Sequence, residues 1–160
     1  MASALHHEHI VRINDPANVA GAWLTREQLW AGLRHTVLSP ELLDDTIDTA
    51  SIEEMGPSRL RREMRRGRRA TSDEVELVPN ESLRIRADAA GEFAGSTLTI
   101  RIEEPAPQML FVRFTYEVCG LEEVRDEEED NARCSAYRSS DIDRIREARR
   151  YVAGESPRVM

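Results

Sequence analysis

Polar and hydrophobic positions alternate through the first segment of the chain, residues 5–14. His9, Val11 and Ile13 share one face. The opposite face carries Glu8, Ile10, Arg12 and Asn14. A period of two predicts a β-strand with two unlike faces, and Asp15-Pro16 predicts the end of that strand.

The next pattern has the period of a helix. Thr25 and Gln28 have the spacing of a capping box, in which each side chain binds the other residue's backbone amide. One helical face then follows, made of Leu29, Trp30, Leu33 and Val37. Pro40 predicts the end of this helix, and a short helical turn through Leu42 and Leu43 follows.

Strand-like alternation returns between Ile47 and Val118, in five or so segments. The clearest has one face formed by Leu110, Val112, Phe114, Tyr116 and Val118. The breaks between segments fall at Gly56-Pro57, at Gly67, at Pro79-Asn80, around Gly91 to Gly95, and at Pro105 to Pro107. Short connections and one polar face predict an antiparallel sheet.

An acidic run from Glu122 to Asp130 predicts a mobile loop before a final helix over about Asn131 to Ala153. The sheet needs a cover for its apolar face, and this helix is the only long element left to supply it. The fold class predicted is α+β of the helix-grip kind, a curved antiparallel sheet wrapped around a long C-terminal helix with an internal cavity. We expect a single domain over residues 1–160, with about 5–153 ordered and 154–160 a tail.

Composition limits the location and the partners. The net charge of −8 disfavours nucleic acid as a partner. No apolar run reaches the roughly 18 residues that span a membrane, and the N-terminus lacks a signal-peptide pattern. We therefore expect a cytoplasmic protein without membrane insertion, in which Cys119 and Cys134 are free thiols. All 22 basic residues are arginine, so arginine abundance alone is no evidence of function.

Several segments resemble a known family. They are EHIVRIND at 8–15, LTREQLWAGL at 24–33, SRLRREM at 58–64, DEVEL at 73–77 and AGSTLTIRIEEPAPQMLFVRFTY at 94–116. Together they resemble the AtaL-like branch of the SRPBCC superfamily, which includes START-like and Bet v 1-like proteins. The resemblance implies the helix-grip fold and a small-molecule cavity, but it carries no catalytic motif over to this chain.

The final helix carries the most informative stripe, formed by Cys134, Tyr137, Asp141, Ile145, Ala148 and Val152. Asp141 stands in its middle, where a buried carboxylate needs a partner or water. Two interpretations are open: Asp141 points into the interior, or the helix is rotated and Asp141 lies on its rim.

Arg62 is the second inward polar candidate, since it shares a strand face with Leu60 and Met64. An inward arginine can hold a carboxylate, phenolate or enolate of a ligand. It can equally form a structural pair with Asp141. Both predictions of an inward side chain lead to the hypothesis that Arg62 and Asp141 approach each other across the cavity.

His9 is the third candidate for catalysis, because its imidazole suits proton transfer near neutral pH; the competing interpretation is a histidine hydrogen-bonded in place. We expect a ligand to contact the inner faces of the predicted elements, at Trp30, Met64, Ile85, Ile100, Phe114, Tyr116 and Tyr137. His6, His7 and His9 make a poor metal site, because His6 points away from the other two. No metal and no cofactor is predicted.

The run from Arg59 to Arg69 is the strongest charge feature, yet it lacks the aromatics and motifs of nucleic-acid binding. We interpret it as a solvated or interface patch. It has the charge to pair with Glu127 to Asp130 within one chain or between two, so a homodimer remains open.

The leading functional hypothesis is a protein that binds a hydrophobic or aromatic small molecule in its cavity. In one form it is a cofactor-free cyclase, aromatase or isomerase of polyketide-like metabolites, in which Arg62 stabilises an enolate and Asp141 or His9 moves a proton. The rival is a non-catalytic binding or carrier protein for a small molecule or lipid. An oligomerisation module built on the arginine run is less favoured.

Overall fold

One antiparallel sheet accounts for all seven strands of the structure, a computed structural model that describes residues 3–17, 22–89, 95–121 and 126–154. In chain order the strands are β1 (Ser3–Arg12), β2 (Thr49–Gly56), β3 (Arg59–Arg66), β4 (Arg69–Val78), β5 (Ser82–Ala87), β6 (Ser96–Glu103) and β7 (Phe111–Leu121). Their order across the sheet is β1-β7-β6-β5-β4-β3-β2. The N-terminal strand therefore pairs with the last strand, and every other neighbour is a hairpin.

Two helices complete the fold. Helix α1 (Arg26–Leu38) begins with the predicted capping box of Thr25 and Gln28, and a short 3-10 helix (Pro40–Leu42) follows it. Helix α2 (Glu127–Val152) is the long C-terminal element. The predicted α+β helix-grip class is confirmed. No helix in the described part of the chain is long and apolar enough to cross a membrane.

Helix α2 begins earlier than the sequence predicted, which corrects the interpretation of the acidic run. Glu127 to Asp130 form its first turn, and the Asp126 side chain caps it by accepting from the Glu128 amide at 2.9 Å. Negative side chains stabilise a helix N-terminus, where unpaired amides carry partial positive charge. Residues 122–125 of the run, residues 90–94 of the predicted Gly91 to Gly95 break and residues 155–160 of the predicted tail lie outside the described residues.

The core lies between the inner face of the sheet and α1. Its fully buried side chains include Leu29, Leu33, Val37, Val75, Leu83, Ile100, Val112 and Phe114. Helix α2 crosses α1 where Gly32 faces Ala148; a Cβ atom built on Gly32 would lie 2.6 Å from the Ala148 carbonyl oxygen. Only glycine allows the two backbones to approach this closely.

At the other end of the sheet, the inner face is less fully covered. Leu98, Ala87 and Thr71 point to the same side as the core residues, but they are only half-buried. Tyr137 and Cys134 on α2 are likewise half-buried at this end. The interior is therefore packed with aliphatic side chains at the α1 end and opens toward the first half of α2.

Candidate functional site: a polar cluster between the sheet and the long helix

Asp141 is buried in the middle of the α2 stripe, with 1% of its surface exposed. Ile145 and Ala148 of the same stripe are buried, while Cys134, Tyr137 and Val152 are half-buried. The helical period therefore predicted the inner face of α2 correctly. The alternative interpretation, a rotated helix with Asp141 on its rim, is wrong.

Both carboxylate oxygens of Asp141 have partners on the sheet. The Tyr116 hydroxyl on β7 donates to Oδ1, and His9 Nδ1 on β1 lies 3.0 Å from Oδ2. Burial raises the pKa of Asp141, and these two contacts offset part of that rise. Burial and the bond to Asp141 also raise the pKa of Tyr116, so its hydroxyl remains a neutral donor.

An aromatic wall adjoins Asp141. The rings of Tyr116 and Tyr137 stack with centroids 4.0 Å apart and planes inclined by 7°. The His7 ring lies 6.1 Å from Tyr116 and 6.0 Å from Tyr137. Its Nε2 is buried and has no hydrogen-bond partner among the described residues, and burial is the main cause that lowers the pKa of this imidazole.

Arg62 is inward and buried, as its strand period predicted, but a direct pair with Asp141 is wrong, because Arg62 pairs with Asp73. Its Nε and Nη2 hold the carboxylate of Asp73 on β4 at 2.8 and 2.6 Å. Its Nη1 donates to the Val37 carbonyl at the C-terminal end of α1, at 2.8 Å. Arg62 and Asp73 stand opposite each other in the β3–β4 register, so the nearest carboxylate is on the neighbouring strand rather than on α2.

Arg144 is a half-buried cation that the sequence did not predict. It lies one turn after Asp141 on α2, and its Nη1 donates to the Thr36 hydroxyl of α1 at 2.8 Å. Loss of solvation lowers the pKa of Arg144 to about 10, and the nearby charge of Arg62 acts in the same direction. Arg144 lies next to the apolar stripe of α2 and not in it. The sequence pattern therefore predicts that its side chain faces solvent.

The other predicted contact residues all lie on inner faces. Trp30 is 8% exposed, Met64 6%, Ile85 8%, Ile100 1% and Phe114 0%. Met64 and Asp73 also border a cleft of about 420 Å³, together with Thr71 and Ala87 at the more open end of the sheet. Ile100 and Phe114 are enclosed by the core packing, whereas Met64 borders the cleft, and ligand contact at all of these positions remains a prediction.

The arginine run lies mostly on the outer face and in the β3–β4 turn. Arg59 pairs with Glu74, Arg61 with Asp88, and Arg66 with Asp44 at 2.9 Å. These partners are acids of neighbouring elements, so the proposed pairing with Glu127 to Asp130 does not describe these three arginines. Among the described residues no group of three or more histidine, cysteine or acidic side chains is placed to hold a metal ion.

The geometry defines a helix-grip protein whose long helix contributes a buried acid to the interior. The chain belongs to the AtaL family, described as acetylaranotin biosynthesis cluster protein L, whose family model matches residues 11–155. The resemblance to the AtaL-like branch that the sequence indicated is therefore confirmed. No curated protein matches the sequence.

Solved structures with the same fold include two aromatase/cyclases and a norcoclaurine synthase. The di-domain aromatase/cyclase StfQ of the steffimycin biosynthetic pathway has a TM-score of 0.71 and 10% identity, covering 94% of this chain and 51% of its own. This chain thus spans about half of that protein. The Zhui aromatase/cyclase of a Streptomyces species has a TM-score of 0.65 and 14% identity over 96% of this chain and 100% of its own. Norcoclaurine synthase of Thalictrum flavum has a TM-score of 0.63 and 12% identity over 96% and 97% of the two chains.

Proposed function

We propose that this protein binds a hydrophobic or aromatic small molecule between its sheet and α2, and acts on it as a cofactor-free cyclase, aromatase or isomerase. One observation carries the proposal: the buried carboxylate of Asp141 contacts both Tyr116 and His9, beside a stacked aromatic wall. Buried, interacting titratable groups in an apolar interior are typical of functional sites. Membership of a biosynthesis-cluster family and likeness to aromatase/cyclases support the same class of ligand.

The wall supplies the binding surface for such a ligand. Tyr116, Tyr137 and His7 present aromatic faces at the less packed end of the interior. Flat conjugated molecules stack on such rings with a gain of about 0.5–1.5 kcal/mol per ring pair beyond area burial. Leu98, next to Tyr116 in the β6–β7 register, and Met64 on β3 would add apolar contact.

The Asp141 cluster supplies the chemistry. With Asp141 ionised, a hydrogen on His9 Nδ1 points to Oδ2, and His9 Nε2 is left as a proton acceptor. The His9 side chain is 21% exposed and borders an outer cleft of about 480 Å³ between β1 and α2. A proton can therefore pass between solvent and the Tyr116 side of the interior through His9 and Asp141, as a cyclisation or isomerisation of a ketone-bearing chain requires.

A second candidate function is that of a carrier, which holds the ligand without changing it. The observation that favours it is the complete pairing of Asp141 and Arg62: each has protein partners for its charge. For groups paired in this way, a purely structural role is sufficient, in which they fix the packing of α2 and α1. The pocket is the same in both functions, and only turnover separates them.

Native mass spectrometry of protein purified from its own host tests the binding. The expected result is an added mass of an organic molecule, lost on denaturation and depleted in Tyr137→Ala but kept in Tyr151→Ala, whose ring stacks on His35 far from the wall. If the wild-type protein neither retains nor rebinds any molecule, both the enzyme and the carrier function are overturned. The released molecule is then incubated with fresh protein: conversion that stops in Tyr116→Phe supports the enzyme, and recovery unchanged supports the carrier.

A further inference from the structure

Arg62 and Arg144 both contact the C-terminal half of α1, but they differ in how many of their guanidinium nitrogens have protein partners. All three nitrogens of the Arg62 guanidinium bond to protein, two of them to the carboxylate of Asp73. The Arg144 guanidinium makes one hydrogen bond, from Nη1 to the neutral Thr36 hydroxyl. A guanidinium has five N–H donors, so most of the donors of Arg144 are unused by the described residues.

These unused donors are not sealed by apolar atoms. The buried side-chain nitrogen without a partner among the described residues is His7 Nε2, and no nitrogen of Arg144 shares that condition. The Nε and Nη2 groups of Arg144 therefore open onto space that a small molecule or water can enter. The charged and polar groups closest to the guanidinium include Tyr116, Asp141 and Arg62, so Arg144 lies on the inner side of the sheet.

The charges nearby leave Arg144 without a counter-ion. Asp73 is engaged by Arg62, and both oxygens of Asp141 are engaged by His9 and Tyr116. Among the described residues no carboxylate forms an ion pair with Arg144. With a pKa of about 10, the side chain still carries its positive charge at neutral pH.

We propose that Arg144 receives an anionic oxygen of the ligand. The ligand class is then a hydrophobic or aromatic molecule with a carboxylate, enolate or phenolate group. This rests on the proposed function, because it needs a ligand in the interior. Tyr116 is an electrostatic neighbour of Arg144, so a ring stacked on the aromatic wall places its charged substituent within reach of the guanidinium. An oxyanion there would gain charge-assisted hydrogen bonds in a poorly solvated setting.

Two fluorescent probes of one shape test this assignment. Anilinonaphthalene sulfonate is anionic, and phenylnaphthylamine is the same aromatic amine without the sulfonate. Their affinities are measured for the wild-type protein, for Arg144→Met, and for the control Arg84→Met. Arg84 carries the same charge but lies on the outer face of β5, where it pairs with Glu76. Thermal melts check that each variant is folded, and Arg144→Gln is used if the methionine variant is not.

The expected result is that Arg144→Met weakens the sulfonate probe by about ten- to hundredfold, as loss of a charge-assisted hydrogen bond should. The neutral probe should bind unchanged, and Arg84→Met should change neither. Equal effects on both probes, or no effect on the sulfonate, would overturn the role of Arg144 and leave the pocket intact. Failure of both probes to bind the wild-type protein would instead count against the proposed function.

Discussion

Arg62 on β3 grips the carboxylate of Asp73 on β4 with two parallel hydrogen bonds, and the two residues are 6% and 5% exposed. A third bond ties the same guanidinium to the Val37 carbonyl of α1. This pair thus links the sheet to the first helix inside the protein.

The first prediction follows from that burial. Arg62→Met leaves Asp73 as an unpaired buried charge, so the free energy of unfolding should fall by about 3–5 kcal/mol. The double variant Arg62→Met/Asp73→Leu removes both charges and should recover much of that loss. Urea unfolding of Arg62→Met, Asp73→Leu and the double variant measures this, and strictly additive losses would show that the pair does not act as a unit.

The second prediction concerns pH and Asp141. Burial raises the pKa of this carboxyl above its unfolded value of about 4. At a pH between the unfolded and the folded pKa of Asp141, the folded protein holds a proton that the unfolded chain has released. The free energy of unfolding therefore falls as pH rises through this window. Asp141→Asn does not titrate and should lack this slope.

The measurement is urea unfolding of wild type and Asp141→Asn at a series of pH values from about 4 upward. The stability of the wild type relative to the variant should decline with rising pH and then level off. Parallel curves throughout, or a relative gain for the wild type, would contradict the raised pKa.

The third prediction tests the helix crossing at Gly32. In Gly32→Ala the new methyl group would overlap the backbone and side chain of Ala148, so α1 and α2 must separate. We expect a loss of about 1–3 kcal/mol, although alanine favours helices more than glycine does. Ala31→Gly is the matched control on the exposed side of α1, where only helix propensity changes. A stabilised Gly32→Ala protein would mean that the helices pack less closely than described.

The fourth prediction is that duplex DNA binds weakly and without sequence preference at physiological salt. The net charge is −8, and five arginines of the run are already paired with acids of the same chain. Fluorescence anisotropy with labelled duplexes measures this. Tight, sequence-dependent binding that disappears on reversing Arg65, Arg66, Arg68 and Arg69 would refute it.

The faces of the elements were predictable from sequence, because each depends only on a local period. Arg62 with Leu60 and Met64, and Asp141 with Ile145 and Ala148, were placed inward by periods of two and about 3.6. Both placements hold. The same period of two also puts His7 on the face of His9.

The hydrogen-bond partners of these side chains were harder to predict, because they depend on strand register and on how the helices pack against the sheet. The turn at Gly67 sets the β3–β4 register, and it aligns Arg62 with Asp73; counting outward from that glycine finds the pair. The contacts of Asp141 with Tyr116 and His9 depend on how α2 lies across the sheet, which no local pattern contains. Arg144 was missed for the same reason, since its environment is made by Thr36 of a different helix.

The pairing of β1 with β7 has a consequence for the order in which the protein forms. His9 and Asp141 are 132 residues apart, yet they are in direct contact. On the ribosome, the hairpins from β2 to β6 can pair as they emerge, but the first strand has no neighbour until β7 is made. Contacts between such distant segments form late and slowly. The candidate site is therefore assembled last, when the two ends of the chain meet.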